Sequence, residues 1–200
     1  MKKSIIIPGI YLVLFLIIMI FVVLGYTTNI DTFIYKLVTS NMNDYLTSFY
    51  KFITFFGSTK FMISLCIILL VIFILVKKKW YGINIVIGLI SSTIVNNVVK
   101  VLISRERPDV LKLVNESTYS FPSGHTMASV MMYGIIIYYI YRSKLNKYLK
   151  WILISIFGLL ILLIMISRIY LGAHYVTDVV GGLLLSLFLL NLLIKIKITE

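Results

Sequence analysis

The sequence has few of the residues on which soluble proteins and metalloenzymes rely. Only 13% of its 200 residues are charged, and just seven are acidic, whereas soluble domains are about 25% charged. The single cysteine, Cys66, excludes an internal disulfide and a cysteine-built metal cage, so we expect it to serve packing. Glu106, Asp109 and Glu116 are scattered along one segment, which argues against a carboxylate cage for magnesium or a two-metal centre.

Hydrophobic residues are abundant instead, at 60% of the chain with a mean hydropathy of +1.04. One core in so short a chain cannot bury them all, so the excess must face lipid. A helix needs roughly 20 apolar residues to cross a bilayer. Six runs approach that length, namely 5–25, 61–76, 81–103, 127–141, 149–166 and 176–194. The sequence therefore predicts an all-α, polytopic membrane protein with six transmembrane helices, forming a single integral-membrane domain over residues 1–200.

Basic residues outnumber acidic ones by nineteen to seven, giving a formal net charge of +12. In a six-span arrangement, eleven of the nineteen fall on one side, which the positive-inside rule assigns to the cytoplasm. These eleven are Lys2, Lys3, Lys77, Lys78, Lys79, Arg142, Lys144, Lys147, Lys150, Lys195 and Lys197. Both termini are then cytoplasmic, and the charge surplus needs no nucleic-acid partner. The clusters fit topology signalling or contact with anionic phospholipids.

The first outer segment, residues 26–60, is too long for a tight turn. Apolar residues recur at helical spacing in each of its halves, with Asn29 or Asp31 and Asn43 or Asp44 as N-caps. We expect two short helices lying in the outer interface. They either cover the bundle or form a wall of the opening through which lipid enters.

Both histidines of the chain lie in polar islands on the outer side, each at the start of a predicted helix. His125 follows Ser123 and Gly124, where Ser123 is a natural N-cap and the free N–H groups of a helix start favour an anion. His174 lies four residues before Asp178, so the carboxylate can hold one ring N–H and leave the other nitrogen free to attack. Taken singly, each island is equally explained by an ordinary helix start or a helix-terminal hydrogen bond.

Three cations on the same side lack a counter-charge. Lys100 ends an apolar helix, Arg107 precedes Pro108, and Arg168 closes the fifth run. A cation at membrane depth costs about 2.5–3.5 kcal/mol unless it snorkels or finds an anion, and snorkelling alone would explain each of them. Together the three cations have only one available counter-charge, Asp178. The sequence therefore predicts that they bind an anionic ligand. Arginine suits phosphate particularly well.

Three segments, the two around the histidines and the one that carries Lys100 and Arg107, together resemble the signature of the type 2 phosphatidic acid phosphatase family. The matching strings are Lys-x6-Arg-Pro at 100–108, Pro-Ser-Gly-His at 122–125 and Ser-Arg-x5-His-x3-Asp at 167–178. The resemblance implies that His174 is a nucleophile forming a phosphohistidine, that Asp178 orients it, and that His125 protonates the leaving oxygen and later activates water. It also implies a phosphate site that needs no metal and no other cofactor. That site comprises Lys100, Arg107, Ser123, Gly124 and Arg168.

The leading hypothesis is a phosphatase of a bacterial cytoplasmic membrane whose site faces outward and removes the terminal phosphate of a lipid. Phosphatidylglycerophosphate, phosphatidic acid and undecaprenyl diphosphate are the candidate substrates. A carrier that binds phosphate through the intramembrane cations is one alternative. A lipid phosphotransferase, in which another hydroxyl replaces water, is the other. No feature of the sequence assigns an oligomeric state.

Overall fold

The computed structural model describes residues 6–195, which form eight α-helices and no strand. In chain order the helices are α1 Ile6–Val23, α2 Thr28–Thr39, α3 Asp44–Phe55, α4 Thr59–Leu75, α5 Lys79–Ile103, α6 Gly124–Arg142, α7 Lys147–Tyr170 and α8 Val176–Lys195. The all-α prediction is confirmed. Ile5 of the first predicted run, together with Lys2, Lys3 and Lys197 of the topology argument, lies outside the described residues.

Each of the six predicted apolar runs coincides with a long helix, but the count of six membrane spans is not confirmed. Within residues 6–195, four helices are long and apolar enough to cross a bilayer, namely α1, α5, α7 and α8. A fifth candidate arises if α3 and α4, which meet at 43°, are one broken span. Helix α4 alone has 17 residues, and α6 begins with the polar residues Gly124, His125 and Thr126.

Helix α6 is the centre of the bundle and packs against α4, α5, α7 and α8. Met131, Met132 and Ile135 of this helix are buried in the main apolar core, which also takes in Cys66. The expectation that Cys66 serves packing is therefore confirmed. A helix enclosed by other helices does not need an apolar surface all round, which explains how α6 can carry polar residues where a lipid-facing helix cannot.

The outer helices expose the apolar residues that the composition requires to face lipid. Large hydrophobic side chains are open on α1, α4, α5 and α7, including Ile17, Ile67, Val98 and Leu159. Soluble monomers rarely expose apolar patches on this scale. The surface of the bundle is therefore that of an integral membrane protein.

The two short helices expected in segment 26–60 are α2 and α3. Asn43 caps α3 by accepting a hydrogen bond from the Leu46 N–H at 3.0 Å. Helix α2 instead begins after Thr27, before the predicted caps Asn29 and Asp31. Helix α3 packs on α7, and α2 packs on both α7 and α8, so the pair covers one end of the bundle.

The chain directions separate two chemically different ends of the bundle. Helices α5 and α7 run towards the end covered by α2 and α3, whereas α6 and α8 run away from it. The turns after α4 and α6, which carry most of the cationic clusters, therefore lie at the far end. Both histidines lie at the covered end, close to where α6 and α8 begin.

Candidate active site

His174 lies in the tight return between α7 and α8. The return requires glycine at position 172, where φ is +68° and an added Cβ would come within 2.4 Å of the Leu111 carbonyl oxygen. The backbone N–H of His174 donates to the carbonyl of Arg168 at 3.1 Å. This bond ties the nucleophile candidate to the last turn of α7.

The two ring nitrogens of His174 have different partners. Nδ1 lies 3.5 Å from the Asp178 carboxylate and 3.4 Å from the Ser120 hydroxyl, whereas Nε2 lies 3.3 Å from Arg107 Nη1. Burial lowers the pKa of His174 to about 4, although the hydrogen bond and charge of Asp178 act in the opposite direction. The imidazole is therefore neutral at pH 7, with Nε2 as the nitrogen available for attack.

Asp178, in the first turn of α8, is fully buried and has more partners than its spacing to His174 indicates. Its carboxylate accepts hydrogen bonds from the Ser120 hydroxyl, from the Tyr175 N–H at 2.9 Å and from Arg105 Nη1 at 2.6 Å. Neither Ser120 nor Arg105 is among the site residues predicted from the sequence. Both lie in the 104–123 loop that joins α5 to α6, and nothing in their spacing relates them to Asp178.

The Pro-Ser-Gly-His segment forms the start of α6, as predicted. The Ser123 hydroxyl caps the helix by accepting from Thr126, from its N–H at 3.4 Å and from its hydroxyl at 3.0 Å. The backbone N–H of Ser123 donates to the Asp178 carbonyl at 3.0 Å, which joins the starts of α6 and α8. Gly124 and His125 therefore occupy the first turn of α6, directly beside the turn between α7 and α8 that carries His174.

Lys100 and Arg107 converge although they do not share a helix. Helix α5 ends at Ile103, and Pro108 favours an extended Arg107 in the loop that follows. Both cations donate to the Thr118 hydroxyl and the Tyr119 carbonyl, with Lys100 Nζ 3.1 Å from Thr118 Oγ1. Burial lowers the pKa of the Arg107 guanidinium, against the opposing charges of Glu116 and Asp178.

Arg168 is paired with Glu116, which corrects the sequence analysis. The guanidinium of Arg168 is 1% exposed, and it donates to the Glu116 carboxylate and to Thr54 Oγ1, the latter at 2.7 Å. Glu116 also lies 3.8 Å from Arg107 Nη2 and 3.9 Å from His125 Nδ1. The prediction that only Asp178 acts as a counter-charge is wrong, because packing of the 104–123 loop brings Glu116 among these groups.

One buried donor near this pair is left over. Arg168 Nε has no hydrogen-bond partner among residues 6–195. An unpaired buried donor costs about 1–3 kcal/mol, so such groups are rare in folded proteins and call for an explanation. A bound oxyanion would supply the missing acceptor.

A cavity of about 360 Å³ brings most of the predicted site together. Its polar lining includes Lys100, Arg107, Gly124, His125 and His174. Ser123, Arg168 and Asp178 are not among the residues that line the cavity. Arg168 pairs with the lining residue Glu116, and Asp178 pairs with the lining residue His174. The apolar part of the lining comes from α4, α5 and α6. Those apolar residues include Met62, Ile63, Leu89, Met127 and Ala128.

Metal binding has no evident place in the described part of the chain. Across residues 6–195, no three histidine, cysteine, aspartate or glutamate side chains are grouped closely enough to hold an ion. Independence from metal remains a prediction for experiment.

Comparison with known proteins agrees with the motifs. Residues 81–199 match the PAP2 superfamily. The chain is 39% identical over 139 residues to phosphatidylglycerophosphatase B of Bacillus subtilis, covering 68% of each protein. It is 28% identical to an undecaprenyl-diphosphatase of Sulfolobus acidocaldarius, over 95% of this chain and 91% of that one. A crystal structure of a transmembrane PAP2-type phosphatidylglycerolphosphate phosphatase from Bacillus subtilis superimposes with a TM-score of 0.88 at 32% identity, covering 96% of this chain and 98% of that chain.

Proposed function

Because this chain belongs to the PAP2 superfamily, we propose that it removes the terminal phosphate of a membrane lipid through a phosphohistidine on His174. The observation that carries the proposal is the shared cavity, in which both histidines lie beside Lys100 and Arg107. Phosphoryl transfer needs little beyond charge stabilisation, an in-line nucleophile and a proton donor, and we assign these roles to the cations, to His174 and to His125 of this cavity.

In the first step, phosphate oxygens are held by Arg107, Lys100 and the N–H groups at the start of α6. Arg168 Nε, unpaired among the residues described, supplies a further donor. Nε2 of His174 attacks phosphorus, so that an N–P bond forms as the P–O bond to the lipid breaks. His125 gives its proton to the leaving oxygen, and Asp178 stabilises the charge that develops on His174.

In the second step, His125 is the base. It takes a proton from water as the water oxygen attacks phosphorus and the N–P bond breaks. Inorganic phosphate leaves, and both histidines return to their starting protonation states. His125 thus acts first as an acid and then as a base, and His174 first attacks phosphorus and then leaves it. The only reactant consumed besides the lipid phosphate is water.

The apolar part of the cavity supports a lipid rather than a soluble substrate. Met62 and Ile63 of α4, Leu89 of α5 and Met127 of α6 all line it. We infer that an acyl or isoprenoid chain enters between these helices, beneath the phosphate. Phosphatidylglycerophosphate is the first candidate substrate, with phosphatidic acid and undecaprenyl diphosphate as the others.

We propose that α4 and α6 also cross the membrane, so that residues 1–200 form one six-span domain in a bacterial cytoplasmic membrane. The 17 residues of α4 span about 25 Å at 1.5 Å per residue, and α6 is sheltered by its neighbours. The cationic turns at the far end support a cytoplasmic position for that end and for both termini. The active site then faces outward.

Phosphate release from the three lipids by the purified protein in detergent tests the proposal. Wild type should release phosphate, and His174→Ala should show no activity while unfolding at the same temperature as wild type. Quenching in alkaline detergent during turnover should trap labelled phosphate on wild type but not on the variant, because the N–P bond of a phosphohistidine survives in base and hydrolyses in acid. An active His174→Ala protein would end the mechanism, and inhibition by a chelator would contradict metal independence.

A further inference from the structure

We propose that Arg105, held from its other side by Asp31 of α2, is a positioning residue that fixes the Asp178 carboxylate behind the nucleophile. The proposal rests on the proposed function, because it gives Arg105 a role in the reaction of His174. It also gives α2 a part in the site, beyond the covering role that its position suggests.

The guanidinium of Arg105 bridges two buried carboxylates. Nη1 donates to Asp178 Oδ1 at 2.6 Å, and Nη2 donates to Asp31 Oδ2 at 2.7 Å. Asp178 and Asp31 are 0% and 1% exposed, so neither carboxylate has water as an alternative partner. The guanidinium also stacks on the Tyr175 ring, 4.1 Å from its centroid. Arg105 is therefore held on three sides, and its orientation is fixed.

Asp31 ties this arrangement to the start of α8. It accepts from the Thr177 N–H at 3.0 Å and from the Thr177 hydroxyl at 2.9 Å. Thr177 immediately precedes Asp178, and its hydroxyl also accepts from Arg105 Nη1 at 2.8 Å. Helix α2 thus contacts both the backbone that carries Asp178 and the cation that pairs with it.

The chemistry of an orienting carboxylate explains why such a partner is needed. Asp178 must stay ionised and must present one oxygen to His174 Nδ1 while its other oxygen is held elsewhere. A buried carboxylate without a paired cation tends to take up a proton instead. Burial alone would lower the pKa of Arg105, but the two aspartates raise it above its ordinary value, so the guanidinium remains charged.

Arg105 does not take part in the reaction directly. It is absent from the residues lining the cavity that holds both histidines, and its Nη atoms are engaged by Asp178, Thr177, Asp31 and Thr27. A lysine at this position retains the charge but cannot present a planar fork to two carboxylates at once. The geometry therefore predicts that shape as well as charge matters at residue 105.

A charge-balanced double variant separates positioning from simple neutralisation. Arg105→Gln leaves two buried carboxylates unpaired, whereas Asp31→Asn with Arg105→Gln removes one charge of each sign. We expect kcat for lipid phosphate to fall about 10- to 100-fold in both, with a smaller change in KM. The double variant should unfold closer to the wild-type temperature. Recovery of wild-type kcat in the double variant would overturn the proposal, because Arg105 would then merely neutralise Asp31.

Two further measurements keep the test decisive. Arg105→Gln removes the cation that pairs with Asp178 and keeps the negative charge of Asp31. A buried carboxylate without its cation takes up a proton more readily, so the acid limb of kcat/KM should move to higher pH in Arg105→Gln. Arg105→Lys, which keeps the charge, should also lose kcat, and wild-type kcat in this variant would contradict the proposal. Arg142→Gln, an exposed arginine at the far end of α6, is the matched control and should change neither quantity.

Failure of this proposal is distinct from failure of the proposed function. If wild type releases phosphate and His174→Ala does not, the phosphatase proposal stands whatever the Arg105 variants do. If wild type releases no phosphate from any of the three lipids, the phosphatase proposal itself fails.

Discussion

The two histidines of the site have unequal surroundings. His174 is 2% exposed and is contacted from three directions, by Asp178, Ser120 and Arg107. The side chain of His125 is 19% exposed, and its Nδ1 lies 3.9 Å from the Glu116 carboxylate. Both histidines line the same cavity, but His174 is fixed by a buried network, whereas His125 lies on the more open side.

This difference matches the two tasks that the proposed reaction assigns. A nucleophile must meet phosphorus along one line, and a misplacement of about 1 Å can cost 100-fold in rate. A proton donor must reach a leaving oxygen whose position depends on how each lipid sits. We infer that the buried network around His174 aligns the nucleophile precisely. The more open surroundings of His125 let it reach leaving oxygens in different positions.

Replacing His125 should give the largest effect and should separate the role of His125 from that of His174. His125→Ala should lower the steady rate on lipid phosphate about 10²- to 10⁴-fold, because the leaving alkoxide loses its proton donor. With nitrophenyl phosphate the leaving group needs no proton, so the first turnover should survive as a burst of nitrophenolate. Release of phosphate from His174 should remain slow, because the base for water is missing. Rapid-quench and stopped-flow measurements check both phases.

His174→Ala is the matched control for that experiment, since these are the two histidines of the chain. It should give neither burst nor turnover on either substrate. A burst from His174→Ala together with none from His125→Ala would reverse the two roles.

The sequence predicts those parts of the site in which neighbours along the chain become neighbours in space. The spacing of His174 and Asp178 and the Ser123 cap are set within about one turn of backbone, and Lys100 and Arg107 lie only seven residues apart. They can therefore be predicted without knowing how the helices pack.

The remaining parts depend on packing between distant segments. In the sequence, Asp31 is a candidate helix cap and Glu116 is one of three scattered carboxylates. Only the docking of α2 and of the 104–123 loop places them against arginines. The polar first turn of α6 likewise obscures its central position, because the sequence does not reveal that four other helices enclose it. Long-range burial, rather than local propensity, decides these features.

The reaction rate should also depend on pH differently from that of an enzyme with an ordinary, exposed histidine, because His174 is buried. Burial lowers the pKa of His174 to about 4, so the nucleophile is neutral at pH 7 and becomes protonated only below that value. On the acid side, kcat/KM should stay level down to about pH 5 and then fall about tenfold per pH unit below pH 4. An acid limb near the ordinary histidine value of about 6.5 would contradict the burial of His174 in the working enzyme.

The smallest expected effect concerns Glu116, which occupies space among the cations on the open side. Its carboxylate pairs with Arg168 and lies 3.8 Å from Arg107, two groups proposed to hold phosphate. A phosphate must therefore compete with this carboxylate for the same donors. Glu116→Gln should strengthen inhibition by inorganic phosphate roughly fivefold, corresponding to about 1 kcal/mol for a partly exposed ion pair.

The control for that measurement is Glu106→Gln, which makes the same charge change on an exposed side chain of the same loop. It should leave phosphate inhibition unchanged. This control separates a general loss of negative charge near the cavity from competition at Arg168. Equal inhibition constants for wild type and Glu116→Gln would show that Glu116 does not compete with phosphate. Stronger phosphate inhibition in Glu116→Gln but not in Glu106→Gln would mean that the Glu116 carboxylate must move away when phosphate binds. The Asp178 carboxylate behind His174, in contrast, keeps its position throughout the reaction.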